Sequence, residues 1–411
     1  MVNLMKYAYL LILILTIFVA SGCSNNNPVP VYENKSIPSS DFKLISSQVE
    51  LDSINLDSES NSRSLRGGVM MYAKAEAISA PLASDSMSGS NSKTNNQYES
   101  VDEADFVKTT ADRFYVLKNN KLLVLDKEKE ELVKKQLIKA GIDISRVVFY
   151  HANYFDVWMR DYGPMFIKDG NLKKWIKWEY DGYGGKFKEL LPDNKVFSDL
   201  KDTIKYEMIV ENTVLEGGAI DSNGSGTILT TEECLLENRN KGLSKEDYKN
   251  VFEKILGVKN IIWLKKGLLN DHTDGHIDEI ARFIGPSKII CAYEDDVRNE
   301  NYERLNENYE ILKNALDQDG NKFEVIKLPM PHMHYDKGDK EHSGVQAPVS
   351  YTNFYIGNKI ILVSIFGDEN DQKALDIIKS CFPEREVVGI DCRDLIYGGG
   401  AIHCITQQEP E

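Results

Sequence analysis

Four short stretches, far apart in the chain, each set an ionisable side chain beside glycine. They are "VWMRDYGPMF" with Trp158, Arg160 and Asp161; "LEGGAID" with Glu216; "DHTDGHIDEIARF" with His276 and Asp278; and "YGGGAIHCITQQEP", where three glycines lead to His403 and Cys404. Glycine lets backbone and ligand come close, and loops at strand ends are where sites usually lie. A thiol with an ordinary pKa near about 8.5 is mostly protonated at neutral pH, so Cys404 as a nucleophile needs a cation or a base beside it. His403 is adjacent. In an extended run, however, consecutive residues face opposite ways, and the histidine expected to serve Cys404 is His276. If "GHIDE" is extended, His276 and Asp278 share a face.

Asp161, Glu216 and Asp278 put three carboxylates around this cysteine and histidine. Such a site repels carboxylate and phosphate substrates and suits a planar cation. The guanidinium fork of N–H donors is gripped by two carboxylates in bidentate fashion, and a bound cation lowers the thiol pKa. The matching chemistry is attack on a guanidinium carbon, loss of an amine, and hydrolysis of the thiouronium adduct. The competing readings are structural: Cys404 as a core thiol and Asp161 as a surface partner of Arg160. His272 and His276 have an H-x3-H spacing, but Thr273 and Gly275 between them argue against a helical metal site. His332, His334 and His342 read as part of a polar loop. No metal is expected.

These residues need a scaffold. Helical patterns occur at "KEKEELVKKQLIKAGI", "SKEDYKNVFEKILG", "NENYERLNENYEILKNAL" and "DENDQKALDIIKSCF", with Ser244 and Asp368 as N-caps. "NENYERLNENYE" reads as a solvated helix face. Strand-like runs occur at "RVVFY", "GTILTT", "NIIWL", "KIICAY", "FEVIKLP", "FYIGNKIILVS" and "EVVGID". Helix and strand alternate, so residues 127–411 are expected to form an α/β domain. The recurrence of a helix followed by two or three short strands hints at internal repetition.

Of the 411 residues, 42% are hydrophobic and 27% charged, which fits a packed globular domain; the net charge of -15 disfavours nucleic acid and favours small cations. Residues 1–22 hold a short apolar run ending in small residues before Cys23. This is the pattern of a secretory signal with a lipidation site at Cys23, so the chain is expected to be exported and held at the membrane by its N-terminus. Residues 24–96 are a Ser/Asn-rich linker, expected to be disordered. Residues 97–126 contain "RFYVL" and "KLLVLD", read as a hairpin turning at Lys118, Asn119 and Asn120. The six cysteines include no CxxC pair, and Cys234, Cys291 and Cys381 are expected in the core.

The four motifs, together with "KLPMP" and the run from "SYTNFYIGNKIILVS" to the C-terminus, resemble the agmatine deiminases. These are grouped with the bacterial peptidyl-arginine deiminases in the guanidino-group-modifying superfamily. The resemblance covers residues 127–411 and keeps the family's motif order. Residues 97–126 resemble the opening of an extracytoplasmic β-propeller family. The deiminase resemblance implies a pentein-like α/β propeller of five ββαβ-like modules around a pseudo-fivefold axis. The opening segment of the family's first module has no counterpart here, so that module is expected to be incomplete.

The resemblance implies Cys404 as nucleophile and His276 as acid and base. It implies Asp161 and Asp278 as the guanidinium clamp and Glu216 as the acid that orients the histidine. Trp158 and Gly399 are expected to contact substrate. No cofactor is implied. The implied reaction converts agmatine to N-carbamoylputrescine and ammonia, a step of putrescine and polyamine biosynthesis, in a family that is normally cytoplasmic; the partners expected for this chain are the small cationic guanidino substrate and, as a homo-oligomer, a second copy of itself. Two alternatives stand beside it: a secreted deiminase of peptidyl or free arginine, and a catalytically defective chimeric lipoprotein.

Overall fold

The computed structural model describes residues 106–110, 113–117, 130–139, 144–147, 149, 151, 152, 154–170, 172–337 and 344–409. The leader, Cys23 and the linker fall outside them. The first strands, β1 (Phe106–Thr110) and β2 (Arg113–Leu117), pair antiparallel with Phe106 opposite Leu117. Thus "RFYVL" pairs with the segment before it, while Lys121–Asp126 lies outside the described residues. Helix α1 (Glu130–Lys139) follows, with Glu130 and Glu131 in its first turn and Lys139 in its last, the charge order its dipole favours. Val133 and Leu137, four residues apart, are buried in one cluster with Val349 and Ile378. "RVVFY" does not form the expected strand: its start lies in a 3-10 turn (Ile144–Arg146), and the described residues beyond it, 147 and 149, are irregular.

Four times thereafter an antiparallel strand pair is followed by a crossover and a third strand parallel to the second. In the first unit β3 (Met165–Asp169) pairs antiparallel with β4 (Leu172–Glu179), which pairs parallel with β5 (Glu207–Val214). A short helix, α2 (Met159–Tyr162), precedes this unit, and α3 (Val196–Leu200) lies in its crossover. The second unit is β6 (Asp221–Ser222), β7 (Thr227–Thr231) and β8 (Asn260–Leu264), crossed by α4 (Lys245–Leu256). The third is β9 (Ala281–Gly285), β10 (Lys288–Tyr293) and β11 (Glu324–Pro329), crossed by α5 (Tyr302–Asn314). The fourth is β12 (Tyr355–Ile356), β13 (Ile360–Ile365) and β14 (Glu386–Asp391), crossed by α6 (Asp371–Cys381). The second strand is central in every one of these sheets, as a parallel partner reached by a helical crossover requires. The fold is α/β, and the repetition hinted at in the sequence is present in the connections.

Local chemistry explains the elements. Ser244 and Asp247 form a reciprocal capping box at the start of α4, and Gly257 ends it at φ 68. On α5, Leu305, Asn308 and Leu312 form the buried stripe. Asn308 takes the Lys265 backbone N–H at 2.8 Å and donates to Lys266 O at 2.7 Å, which fixes the segment leaving β8. Asp368 is not the N-cap of α6. It accepts from Asn370 N two residues on, and Asn370 is the cap. β7, β9 and β13 are buried throughout, as strands covered on both faces are. Among the described residues no helix is long and apolar enough to cross a membrane.

The repeat has a consequence for chemistry. Asp161 lies just before β3, Glu216 before β6, His276 and Asp278 before β9, Asn353 before β12, and Cys404 after β14. The same place in successive units supplies the polar groups. Arg282 on β9 ties three units together: its Nε donates to Asp221 Oδ1 at 2.9 Å and its Nη1 to Phe354 O at 2.9 Å.

Candidate active site

Asp161 sits buried on α2. Its Oδ1 accepts from the Gly218 backbone N–H at 3.0 Å, and its Oδ2 from the Tyr183 hydroxyl at 2.9 Å. The glycine pair of "LEGGAID" has a steric cause here. A Cβ on Gly218 would stand 2.6 Å from His276 Nδ1, 2.9 Å from Asp161 Oδ1 and 3.2 Å from Asp278 Oδ2. Three polar groups from two units therefore converge on one point of a third, and only glycine leaves it open.

His276 is not in a strand. It caps a 3-10 turn (Ile277–Glu279) that carries Asp278 and Glu279. The expected extended "GHIDE" is therefore corrected, yet His276 and Asp278 still meet at Gly218. His276 Nδ1 is 3.6 Å from Asp161 Oδ1, and its Nε2 is 3.9 Å from Glu216 Oε2. The loop before it is anchored by Thr231, whose hydroxyl donates to Gly275 O at 2.7 Å.

Glu216 is fully buried and paired. Arg239 Nε donates to its Oε1 at 2.7 Å, while Arg239 Nη1 reaches Asp274 Oδ2 at 2.8 Å and Nη2 reaches Thr273 O at 2.8 Å. Arg239 thus fastens the glutamate to the loop that delivers His276. Burial pushes the Glu216 carboxyl up, but Arg239 and His276 outweigh it and hold it down at about 2. Burial works against the charged form of His276, yet Asp161 foremost among its neighbours raises its pKa well above the usual value. Burial raises Asp161.

Cys404 and its neighbours stand across Asp278. Its Sγ is 3.9 Å from Asp278 Oδ2 and 4.0 Å from Glu279 Oε1, and Asn353 Nδ2 donates to it at 3.2 Å. Burial, then Asp278, Glu279 and Asp161, raise the thiol pKa well above normal. The run expected to be extended is instead a turn over residues 402–405. His403 is therefore not turned away from the cysteine's surroundings, as alternation would have it. Its Nδ1 meets the same Asp278 Oδ2 at 2.7 Å. Burial, Arg160 and Arg282 depress the His403 pKa, so it is neutral and Nδ1–H is the donor.

Trp158 is buried with its ring against the glycine triplet: a Cβ on Gly400 would fall 2.6 Å from Trp158 Cζ3 and 3.1 Å from Cys404 Cβ. Gly399 has a left-handed φ of 95° and faces His272 Nδ1. Arg160 is buried and holds the cysteine segment. Its backbone N–H donates to Cys404 O at 3.0 Å, and its guanidinium reaches His403 O at 3.3 Å, Thr406 Oγ1 at 3.3 Å, Gln407 Oε1 at 3.1 Å and Gln408. It serves the C-terminal segment and is no surface partner of Asp161.

Four buried atoms around this space have no hydrogen-bond partner among the described residues: Glu216 Oε2, His276 Nε2, Asp278 Oδ1 and Glu279 Oε2. Three are carboxylate oxygens, so the arrangement is set to receive N–H donors. Cys234 is buried as expected, but its surroundings are not purely apolar. Its sulfur lies within 4.8 Å of ligand atoms of Glu216 and His276. The Arg239 guanidinium bound to Glu216 places a fixed positive charge against that cluster, which opposes a metal cation. Cys381 is only partly buried. His332 bonds Glu294 at 2.7 Å, and His342 lies outside the described residues.

The sequence reading did not single out Glu279, Asn353, Arg239 or Tyr183, and it dismissed His403. Glu279 alone had a visible signal, as the acid following Asp278.

The family model of Porphyromonas-type peptidyl-arginine deiminases matches residues 88–410. A Legionella pneumophila (strain Paris) protein, provisionally named an agmatine deiminase, is 39% identical over 259 residues, 62% of this chain and 73% of its own. The solved agmatine deiminase of Enterococcus faecalis is 30% identical with a TM-score of 0.64, covering 72% of this chain and 84% of its own. That of C. jejuni is 31% identical with a TM-score of 0.60, covering 71% and 82%.

Proposed function

The chain belongs to the bacterial family of agmatine deiminases and Porphyromonas-type peptidyl-arginine deiminases, hydrolases that act on guanidino groups, and on that premise we propose that it is an agmatine deiminase. The observation that carries the reading is the convergence at Gly218. Asp161, Asp278 and His276 border one buried space there, and Cys404 lies across Asp278 from it.

The guanidinium of agmatine lies between Asp161 and Asp278, with N–H donors for the carboxylate oxygens that lack them. Its charge offsets the acids that hold the Cys404 thiol protonated, and the thiol proton leaves to solvent. The thiolate forms a C–S bond to the guanidinium carbon. The C–N bond to one terminal amino group then breaks, and the departing nitrogen takes a proton from His276 Nδ1. Ammonia leaves and a cationic thiouronium remains on Cys404. Neutral Nδ1 next takes a proton from water as its oxygen attacks the same carbon. The C–S bond breaks, its electron pair returns to sulfur, and the hydroxyl proton goes to solvent, where ammonia becomes ammonium. The product is N-carbamoylputrescine. Glu216, held by Arg239, keeps the imidazole cationic and oriented.

The four repeated units support a five-module propeller around a pseudo-fivefold axis, with the segment before β3 contributing the remaining, incomplete module. The apolar leader supports export and lipid attachment at Cys23; loss of membrane attachment in Cys23→Ser tests this. Ammonia and carbamoyl-product release from the full chain, with agmatine, arginine and a peptidyl-arginine side by side, tests the substrate. Turnover of agmatine above the other two is expected. Preference for a peptidyl or free arginine would favour the alternative deiminase, and no turnover by folded protein would favour the defective chimera.

A further inference from the structure

We propose that Asn353 is a further catalytic residue, donating an N–H to the Cys404 sulfur and stabilising it as thiolate. This rests on the reading of Cys404 as nucleophile. The orientation of the amide is fixed by its surroundings. Asn353 Oδ1 accepts the His403 backbone N–H at 2.9 Å, so the NH2 group must face the other way. It then meets Cys404 Sγ at 3.2 Å and Asp278 Oδ2 at 3.3 Å. The residue is fully buried. Its backbone is held too: Ser364 Oγ donates to Asn353 O at 3.2 Å, and the neighbouring Thr352 hydroxyl donates to Asp278 O at 3.0 Å.

The electrostatics make this donor matter. The carboxylates nearest the sulfur, those of Asp278 and Glu279, both oppose a negative charge on it. Sulfur carries that charge twice in each turnover, before C–S bond formation and after C–S cleavage. A neutral amide supplies an N–H at both moments and needs no proton transfer. Because it also donates to Asp278 Oδ2, it fixes the carboxylate relative to the sulfur, so the clamp and the nucleophile keep one spacing. A donor held in place by the fold before the charge develops is the arrangement that stabilises charge at little reorganisation cost.

The test is the pH dependence of Cys404 alkylation by iodoacetamide in full-length wild type, Asn353→Ala and Asn353→Leu, beside agmatine turnover. Loss of the donor should move the alkylation profile to higher pH by about one unit, a roughly tenfold loss of thiolate at a given pH. It should lower kcat by about 10- to 100-fold while leaving KM within a few-fold. The leucine substitution fills the site and the alanine substitution opens it, so whichever variant folds carries the test. An unshifted profile with kcat near wild type in either folded variant overturns the proposal. Failure of the underlying function looks different: wild type itself would then lack Cys404-dependent turnover.

Discussion

Nδ1 of His403 stands 2.7 Å from Oδ2 of Asp278, the same oxygen that faces the Cys404 sulfur at 3.9 Å. A neutral histidine next to the nucleophile in sequence is thus spent on the carboxylate rather than on the thiol. It takes one lone pair of Oδ2 and leaves Oδ1 free to accept from a guanidinium.

Replacing His403 by Ala should therefore loosen Asp278 and lower kcat/KM for agmatine. A lost hydrogen bond to a charged group costs about 1.5–3 kcal/mol, roughly 10- to 100-fold in rate. His403 bonds Asp278, whose carboxyl burial pushes up to about 7, so loss of that donor should move the limb of the pH profile set by Asp278 to higher pH without removing it. Steady-state kinetics from pH 6 to 9 check both points, and a lost limb of the profile would show that His403 titrates in catalysis.

The Glu216–Arg239 pair is fully buried on both sides. Arg239→Met strands a carboxylate, and breaking such a pair typically costs about 3–5 kcal/mol. The folded carboxyl lies at about 2 against an ordinary 4.5, so its stabilising contribution is present above about 4.5 and is lost as pH falls through about 2. Thermal unfolding should show a lower Tm for Arg239→Met at pH 7. It should also show a shallower acid limb for Glu216→Gln than for wild type.

Gly218→Ala puts a methyl 2.6 Å from His276 Nδ1. The backbone there is not left-handed, so the change adds little strain to the chain itself. Activity should fall by at least about 100-fold, as small displacements of reacting groups do, with Tm lowered by only a few degrees. Paired activity and calorimetry measurements check it; a variant with near-wild-type kcat would mean that substrate does not use this space.

Much of this site was legible because its residues sit in short motifs whose chemistry is local. Asp161, Glu216, His276, Asp278 and Cys404 each announced themselves by an ionisable group next to glycine. What the motifs did not reveal were partners supplied by other segments of the chain. Asn353 lies in an apolar run that reads as core, yet the turn over residues 402–405 swings Cys404 onto its amide. Arg239 looks like an ordinary basic residue after an acidic stretch, yet it closes on Glu216. The alternation rule failed at His403 because the glycine triplet leads into a turn, not a strand. For the fold, β10, β11, β13 and β14 were visible as dense apolar runs. β4 and β5 are rich in lysine and glutamate, only partly buried, and escaped notice.

The central claim is covalent catalysis by Cys404 on a guanidinium. The most direct test is the intact mass of full-length protein, acid-quenched during turnover of agmatine, with the adduct mapped by peptide fragmentation. The account predicts a thiouronium adduct on Cys404, absent in Cys404→Ala, with ammonia release abolished in that variant. Ammonia release at the wild-type rate from Cys404→Ala, or an adduct on any other cysteine, would contradict it.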